Sequence, residues 1–246
     1  MPHELEGEHH PLAQSVAGGE AAPQLGGDPD GCGAEHGLRE GAGAGEPDAR
    51  DTRPDRATRF VETTQGVLSY TELAPLLADR VTQVEAAILA GEFAAEVLDE
   101  WLILELHRRI CADLVPDWAG KWRDIEVQVG RLQPALPHAL PMLMRDYGRD
   151  LQARWEAAVT ELGELTLEFL AFAEGRFLTI HPFRDFNGRT IRLFLTELRR
   201  RLDLPHVVLA PEGENERQAY FHALEAADRM DWQPLIAIWR ERFDVS

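Results

Sequence analysis

Twelve consecutive residues, His181-Pro182-Phe183-Arg184-Asp185-Phe186-Asn187-Gly188-Arg189-Thr190-Ile191-Arg192, hold the side chains best suited to chemistry. His181 can take up a proton near neutral pH. Asp185 offers a hard oxygen ligand, suited to Mg²⁺ held mainly by phosphates and water with one protein carboxylate. Arg189 and Arg192 are three residues apart, so on a helix they share a face and can both reach a polyphosphate. Asn187 has the side chain of an N-cap, and Gly188 lets the backbone come close to a ligand. The combination points to phosphate chemistry, with an anion seated on the first N–H groups of a helix.

Two helices must position this dozen. Before it, Leu162, Leu165, Phe169, Phe172, Arg176 and Ile180 recur at helical spacing. After it, Ile191, Leu195, Leu198 and Leu202 repeat at steps of three and four and predict a second helix, ending at Pro205. The polar dozen is therefore a helix-loop-helix junction, in which Arg184 is a bystander.

Read in that register, the junction resembles the Fic family, whose motif is His-x-Phe-x-(Asp/Glu)-Gly-Asn-Gly-Arg-x-x-Arg. His181, Phe183, Asp185, Asn187, Gly188, Arg189 and Arg192 all fall on motif positions, and Phe186 departs, standing where the family has Gly, or Ala in the Doc-like branch. The segment DWAGKWR, with the strand pattern after it, and the phrase YFHALEAADRMDWQPL extend the resemblance to roughly residues 60–243. It implies an all-α, Fic-type helical bundle with a small β-hairpin flap beside the active site. It also implies transfer of AMP from ATP to a Ser, Thr or Tyr hydroxyl of a target protein. In that scheme His181 is the general base, Asp185 holds Mg²⁺, and Asn187 orients the α-phosphate. Backbone groups from Phe186 to Gly188 stabilise the transferring group, while Arg189 and Arg192 neutralise the β- and γ-phosphates. Phe183 anchors the loop.

Gly188 stands where Doc-like phosphotransferases carry Lys, which favours nucleotidyl transfer over kinase chemistry. Transfer of UMP or phosphocholine, removal of the modification, and a non-catalytic peptide-binding module on the same fold remain as alternatives, because Phe186 alters the loop. Many Fic proteins are restrained by a helix bearing (Ser/Thr)-x-x-x-Glu-(Gly/Asn). Thr58 to Glu62 and Thr160 to Glu164 have the spacing, but Thr63 and Leu165 follow where Gly or Asn belongs. Inhibition is therefore expected from a separate, antitoxin-like partner acting near Arg192.

Composition narrows the class. A chain of 246 residues accommodates one substantial domain plus an extension. The formal charge of −18 argues against nonspecific nucleic-acid binding, and −8 of it falls on residues 1–56, which hold 12 acidic and 4 basic side chains. That segment, rich in Gly, Pro, Asp and Glu, cannot bury enough surface to offset its ordering entropy and is expected to be a disordered tail, with residues 57–246 forming the folded domain. No apolar run is long enough to span a membrane and no secretory pattern opens the chain, so a cytoplasmic protein is expected. Cys32 and Cys111 show no disulfide or metal spacing. The arginine bias, with Lys121 the sole lysine, suggests a GC-rich, bacterial source.

The remaining patterns are helical except one. Tyr70–Leu77 and Asp79–Ala90 read as two short helices, Glu96–Leu114 as a buried one carrying a packed core histidine, His107, and Leu140–Glu161 as another. Glu216–Arg229 and Pro234–Phe243 close the chain. Between Leu114 and Leu140, Ile125, Val127 and Val129 alternate with Glu126 and Gln128, the period of a strand. An exposed strand edge can pair with an extended peptide. By resemblance to the Fic flap, Val127, Gln128 and Val129 are then the candidate target-binding residues.

Overall fold

The computed structural model describes residues 60–158 and 163–244, and the acidic tail and Cys32 lie outside them. The chain opens with an antiparallel hairpin of β1 (Phe60–Thr63) and β2 (Gly66–Ser69), then runs through α1 (Tyr70–Leu89) and α2 (Glu100–Cys111). An irregular stretch and one 3-10 turn lead to α3 (Leu140–Ala157), followed by α4 (Glu164–Ile180), α5 (Asn187–Arg201), α6 (Glu214–Ala227) and α7 (Gln233–Asp244). The result is mostly helical with one small two-stranded hairpin, as the resemblance implies. None of the described helices is long and apolar enough to cross a membrane.

The bundle is organised around α4. Leu167, Phe169, Leu170, Phe172, Phe177 and Ile180 point to all sides of this helix and are all buried, the pattern of a helix enclosed by others. Helices α3, α5, α6 and α7 pack around it, and α5 in turn packs on α1 and α2. A charge is buried with it. Glu174 accepts a hydrogen bond from Tyr220 of α6 at 2.7 Å and one from Arg242 of α7 at 3.1 Å, so both closing helices are tied to α4 by one carboxylate. Burial and the Glu174 charge hold the Tyr220 hydroxyl well above its ordinary pKa, which keeps it a donor.

Two sequence expectations change. Tyr70–Leu89 is one helix, because the buried stripe Leu73, Leu77, Val84 and Ile88 runs unbroken through Ala78. Pro75 costs it only the bond to the Thr71 carbonyl, near an end secured by a capping box of Ser69 and Glu72. The strand predicted over Ile125–Val129 does not form. That stretch makes a single bridge, Val129 with Leu132, across a turn at Gly130, and the regular hairpin lies at Phe60–Ser69 instead. The reason is Arg123, whose guanidinium takes the carbonyls of Ile125 and Ala135, acceptors that a ladder would need.

Gly175 marks the closest approach in the bundle. A Cβ there would lie 2.7 Å from Leu235 Cδ1, 2.9 Å from Ala227 Cβ and 2.9 Å from Trp232 Cζ3. Alanine gains about 1 kcal/mol of helix propensity. Overpacking against α6 and α7 costs about 1–3 kcal/mol, and the Ala227 Cβ has no rotamer with which to give way. Gly175→Ala is therefore expected to lower the urea midpoint, and a variant as stable as the wild type would show that α6 and α7 can move apart.

Candidate active site

Helix α4 ends because its C-cap, His181, adopts left-handed backbone angles, φ 50° and ψ 63°, and turns the chain into the loop. Its N–H still donates to Phe177 O at 2.9 Å and its carbonyl accepts from Arg123 Nε at 2.8 Å. Both backbone groups are thus fixed, and the residue is 4% exposed. Arg123 N also donates to Pro182 O at 2.9 Å, so one buried arginine fastens the irregular 121–136 stretch to the start of the loop. Burial pulls the Arg123 pKa down from its usual value.

The middle of the loop hangs on His107 of α2. This residue is fully buried, its ring stacked on Phe183 with centroids 3.7 Å apart and planes 2° from parallel. Its Nδ1 accepts from Gly120 N at 2.9 Å, which leaves Nε2 to carry the proton and donate to Asp185 O at 3.2 Å. Burial lowers its pKa from 6.5 to about 3, with the Asp185 carbonyl opposing the shift, so the ring is neutral at physiological pH. His107 is thus the core histidine expected from the sequence, and its partner is the loop itself. Phe183 anchors the loop against it.

The far end of the loop differs most from expectation. The N-cap of α5 is Phe186, at φ 62° and ψ 17°, and Asn187 is the first helical residue. Asn187 spends its amide inside the loop, accepting from Phe183 N and donating to Phe183 O, each at 3.0 Å. Phe186 N instead donates to Asp185 Oδ1 at 2.7 Å. A left-handed φ explains why Gly suits the Phe186 position. Phe is held there because its ring is buried and stacks on Trp118, centroids 5.4 Å apart.

The remaining motif residues surround this helix start. Asp185 is 9% exposed, and its Oδ1 also faces the Tyr70 hydroxyl at 3.5 Å. Arg189 Nη1 donates to the Tyr70 hydroxyl oxygen at 2.9 Å. Arg189 and Arg192 line one cleft of about 970 Å³ between α1, α5 and residues 206–210, as expected of two arginines sharing a face. Gly188, half-buried, lies in the first turn of α5. Arg184 pairs with Asp124, away from the site. Among the described residues no three or more His, Cys, Asp or Glu side chains cluster as a metal site. A lone carboxylate such as Asp185 could serve a cation only if phosphate and water supplied most of its ligands.

The three consecutive candidate target-binding residues meet different surroundings. Val127 is buried (5% exposed), Gln128 is exposed with its Nε2 on Gly130 O, and Val129 uses its backbone on Leu132. A second cleft, about 520 Å³, runs between residues 129–132, Leu178 of α4, Leu224 of α6 and the C-cap of α6, Asp228. Sequence reasoning missed Arg123, whose signal was only a buried arginine in a Trp-rich stretch, and Tyr70, which no local pattern marks.

Comparison with known proteins follows the same outline. Residues 97–198 match the Fic/DOC family model. The chain is 33% identical over 134 residues to "Protein adenylyltransferase Fic" of Drosophila persimilis, an alignment covering 54% of this chain and 25% of that protein. It thus spans about a quarter of the length of the curated relatives it matches. Among solved structures, BepC of Bartonella tribocorum, a VirB-translocated effector crystallised with AMPPNP, superposes with a TM-score of 0.58 at 16% identity, covering 76% of this chain and 93% of that one. Fic-1 of C. elegans gives 0.52 at 24% identity, with 69% and 48% covered. Both show a shared fold.

Two stability measurements probe the clamp on the loop. Phe186→Gly relieves about 1–2 kcal/mol of left-handed strain but removes a buried ring worth about 3–5 kcal/mol. A net loss of about 2–3 kcal/mol in urea unfolding is expected, and a variant as stable as the wild type would mean that the buried ring is worth no more than the strain it carries. For His107 the folded-state pKa lies below the unfolded one. Between pH 6.5 and about 3 the unfolded chain binds a proton that the folded chain refuses, so stability falls as pH drops through that window. From pH 7 to 5 the wild type should lose about 2 kcal/mol more than His107→Gln, whereas parallel pH profiles would show that the ring protonates without cost.

Proposed function

Starting from a chain that carries a Fic/DOC-family domain at residues 97–198, we propose that it transfers AMP from ATP to a Ser, Thr or Tyr hydroxyl of a target protein. The observation that carries this reading is the junction itself. A histidine fixed by both its backbone groups opens a loop that carries one buried carboxylate and ends at a helix N-terminus, with two arginines in the first turns of that helix.

In this reaction His181 accepts the proton of the attacking hydroxyl as its oxygen bonds to the α-phosphorus. The bond from that phosphorus to the bridging oxygen of the β-phosphate breaks, and pyrophosphate leaves. A general base of this kind contributes about 10²–10⁴-fold in typical enzymes. Asp185 would hold Mg²⁺, which when bound neutralises charge on the phosphates. The first-turn N–H groups of α5 and the positive end of its dipole stabilise the transferring group. Arg189 and Arg192 take the β- and γ-phosphates from the cleft side. Asn187 acts through the loop, since its amide is committed to Phe183. Most of the catalysis is positioning and electrostatics, which suits a loop fixed at His181, Phe183, Asp185 and Asn187.

The target segment would lie along residues 127–129, beside the loop to which Arg123 fastens them. A separate antitoxin-like partner would restrain the enzyme by covering Arg192, where the cleft is wide enough for an inserted side chain.

The test is transfer of label from α-labelled NTPs to lysate proteins and to the chain itself with Mg²⁺, in wild type and His181→Ala. Label dependent on ATP and lowered at least about 100-fold by His181→Ala is the expected result. No transfer from any nucleotide by folded, partner-free protein would remove the reading.

A further inference from the structure

The stretch matched by the family model begins at residue 97, so the hairpin and α1 lie outside it. Even so, α1 reaches the site. Its first residue is Tyr70, whose hydroxyl accepts a hydrogen bond from Arg189 Nη1 at 2.9 Å and directs its own proton toward Asp185 Oδ1 at 3.5 Å. The Arg189 guanidinium carbon also lies 5.5 Å from the centroid of the Tyr70 ring, within reach of its π face. A single phenol therefore contacts both the carboxylate and one of the two arginines of the phosphate site.

Tyr70 is held there by contacts on both sides of it. Ser69 and Glu72 close a reciprocal capping box around it, with Ser69 N donating to Glu72 Oε2 at 2.8 Å and Glu72 N to Ser69 Oγ at 3.3 Å. Just before it, the hairpin turn is pinned to the end of α2, where Thr64 N donates to Leu114 O at 2.8 Å and Thr64 Oγ1 to Asp113 O at 2.7 Å. Ten residues along α1, Arg80 Nε donates to Asp113 Oδ1 at 2.8 Å. Both ends of this arrangement grip the same turn after α2, the helix whose His107 carries the loop.

We propose that Tyr70 is a positioning residue of the phosphate site, presenting Arg189 to the polyphosphate before the nucleotide arrives. This rests on the nucleotide-transfer reading above. An arginine left to itself loses rotamer freedom when it binds phosphate, and a partner that orders it beforehand removes part of that loss. The phenol is a neutral acceptor, weaker than a carboxylate, so phosphate can displace it from the guanidinium. The ring remains beneath Arg189 after the hydrogen bond is exchanged, so the side chain stays in place.

The test is calorimetric binding of Mg²⁺ with a non-hydrolysable ATP analogue to the full chain, in wild type, Tyr70→Phe, Arg189→Ala and the double variant. Tyr70→Phe keeps the ring and removes only the hydroxyl, and a thermal melt confirms that it folds. It should weaken binding about five- to tenfold. In the double variant the loss should be no larger than in Arg189→Ala alone, because the hydroxyl then has no guanidinium to position. Wild-type affinity in Tyr70→Phe, or a loss that adds in full to that of Arg189→Ala, overturns the role of Tyr70 and leaves nucleotide transfer standing. A wild-type chain that binds neither this analogue nor its guanosine, cytidine and uridine counterparts overturns both.

Discussion

The loop between α4 and α5 depends on a neutral histidine buried in α2. His107 receives the Gly120 N–H on one nitrogen and gives the other to the Asp185 carbonyl, while its ring lies flat on Phe183. A charged imidazole could not do this, since Nδ1 would have no lone pair for Gly120. Burial keeps the ring neutral by penalising the cation. The desolvation that would make a charged side chain costly here is what makes a neutral one a reliable joint. The same joint ties together α2, the stretch containing Gly120, and the loop between α4 and α5.

Around that joint the chain supplies rigid parts and leaves little to solvent. Arg123 fastens the His181 carbonyl, Asn187 closes the loop on Phe183, and Phe186 holds a left-handed turn by burying its ring on Trp118. Each contact meets a backbone need that a tight loop creates: an orphan carbonyl, an orphan N–H, or a positive φ. Phosphate chemistry asks for donors and charges that do not move as the reaction proceeds. A loop braced on three sides provides them at a helix N-terminus, where the dipole already favours an anion.

The departure at Phe186 has a physical account in the same terms. Glycine suits this backbone conformation for lack of a Cβ, but it would add nothing to the packing beneath the loop. Phenylalanine costs strain and brings a ring that joins Trp118 and lies 6.3 Å from His107. The loop is stiffened from below rather than relaxed at its turn. The Phe186 ring is buried in the core.

How much of this was legible in the sequence depends on whether the determinant was local. The helix-loop-helix junction, the apolar stripes of α4 and α5, the shared face of Arg189 and Arg192, and the buried role of His107 followed from spacing and side-chain chemistry, which act over one or two turns of chain. Three things did not follow. The alternation at Ile125, Val127 and Val129 has the period of a strand, but a strand needs free carbonyls, and Arg123 took those of Ile125 and Ala135. Asn187 has the side chain of a cap, yet the cap position fell to Phe186 because Trp118, 68 positions away, offered it a surface. Tyr70 came to Arg189 across more than a hundred residues, through the docking of the hairpin and α1 on the end of α2. Local pattern determines which segments become helices and which residues carry chemistry. Only tertiary packing decides which buried polar groups meet, because each has several possible partners and the winner is the one that folding brings within 3 Å.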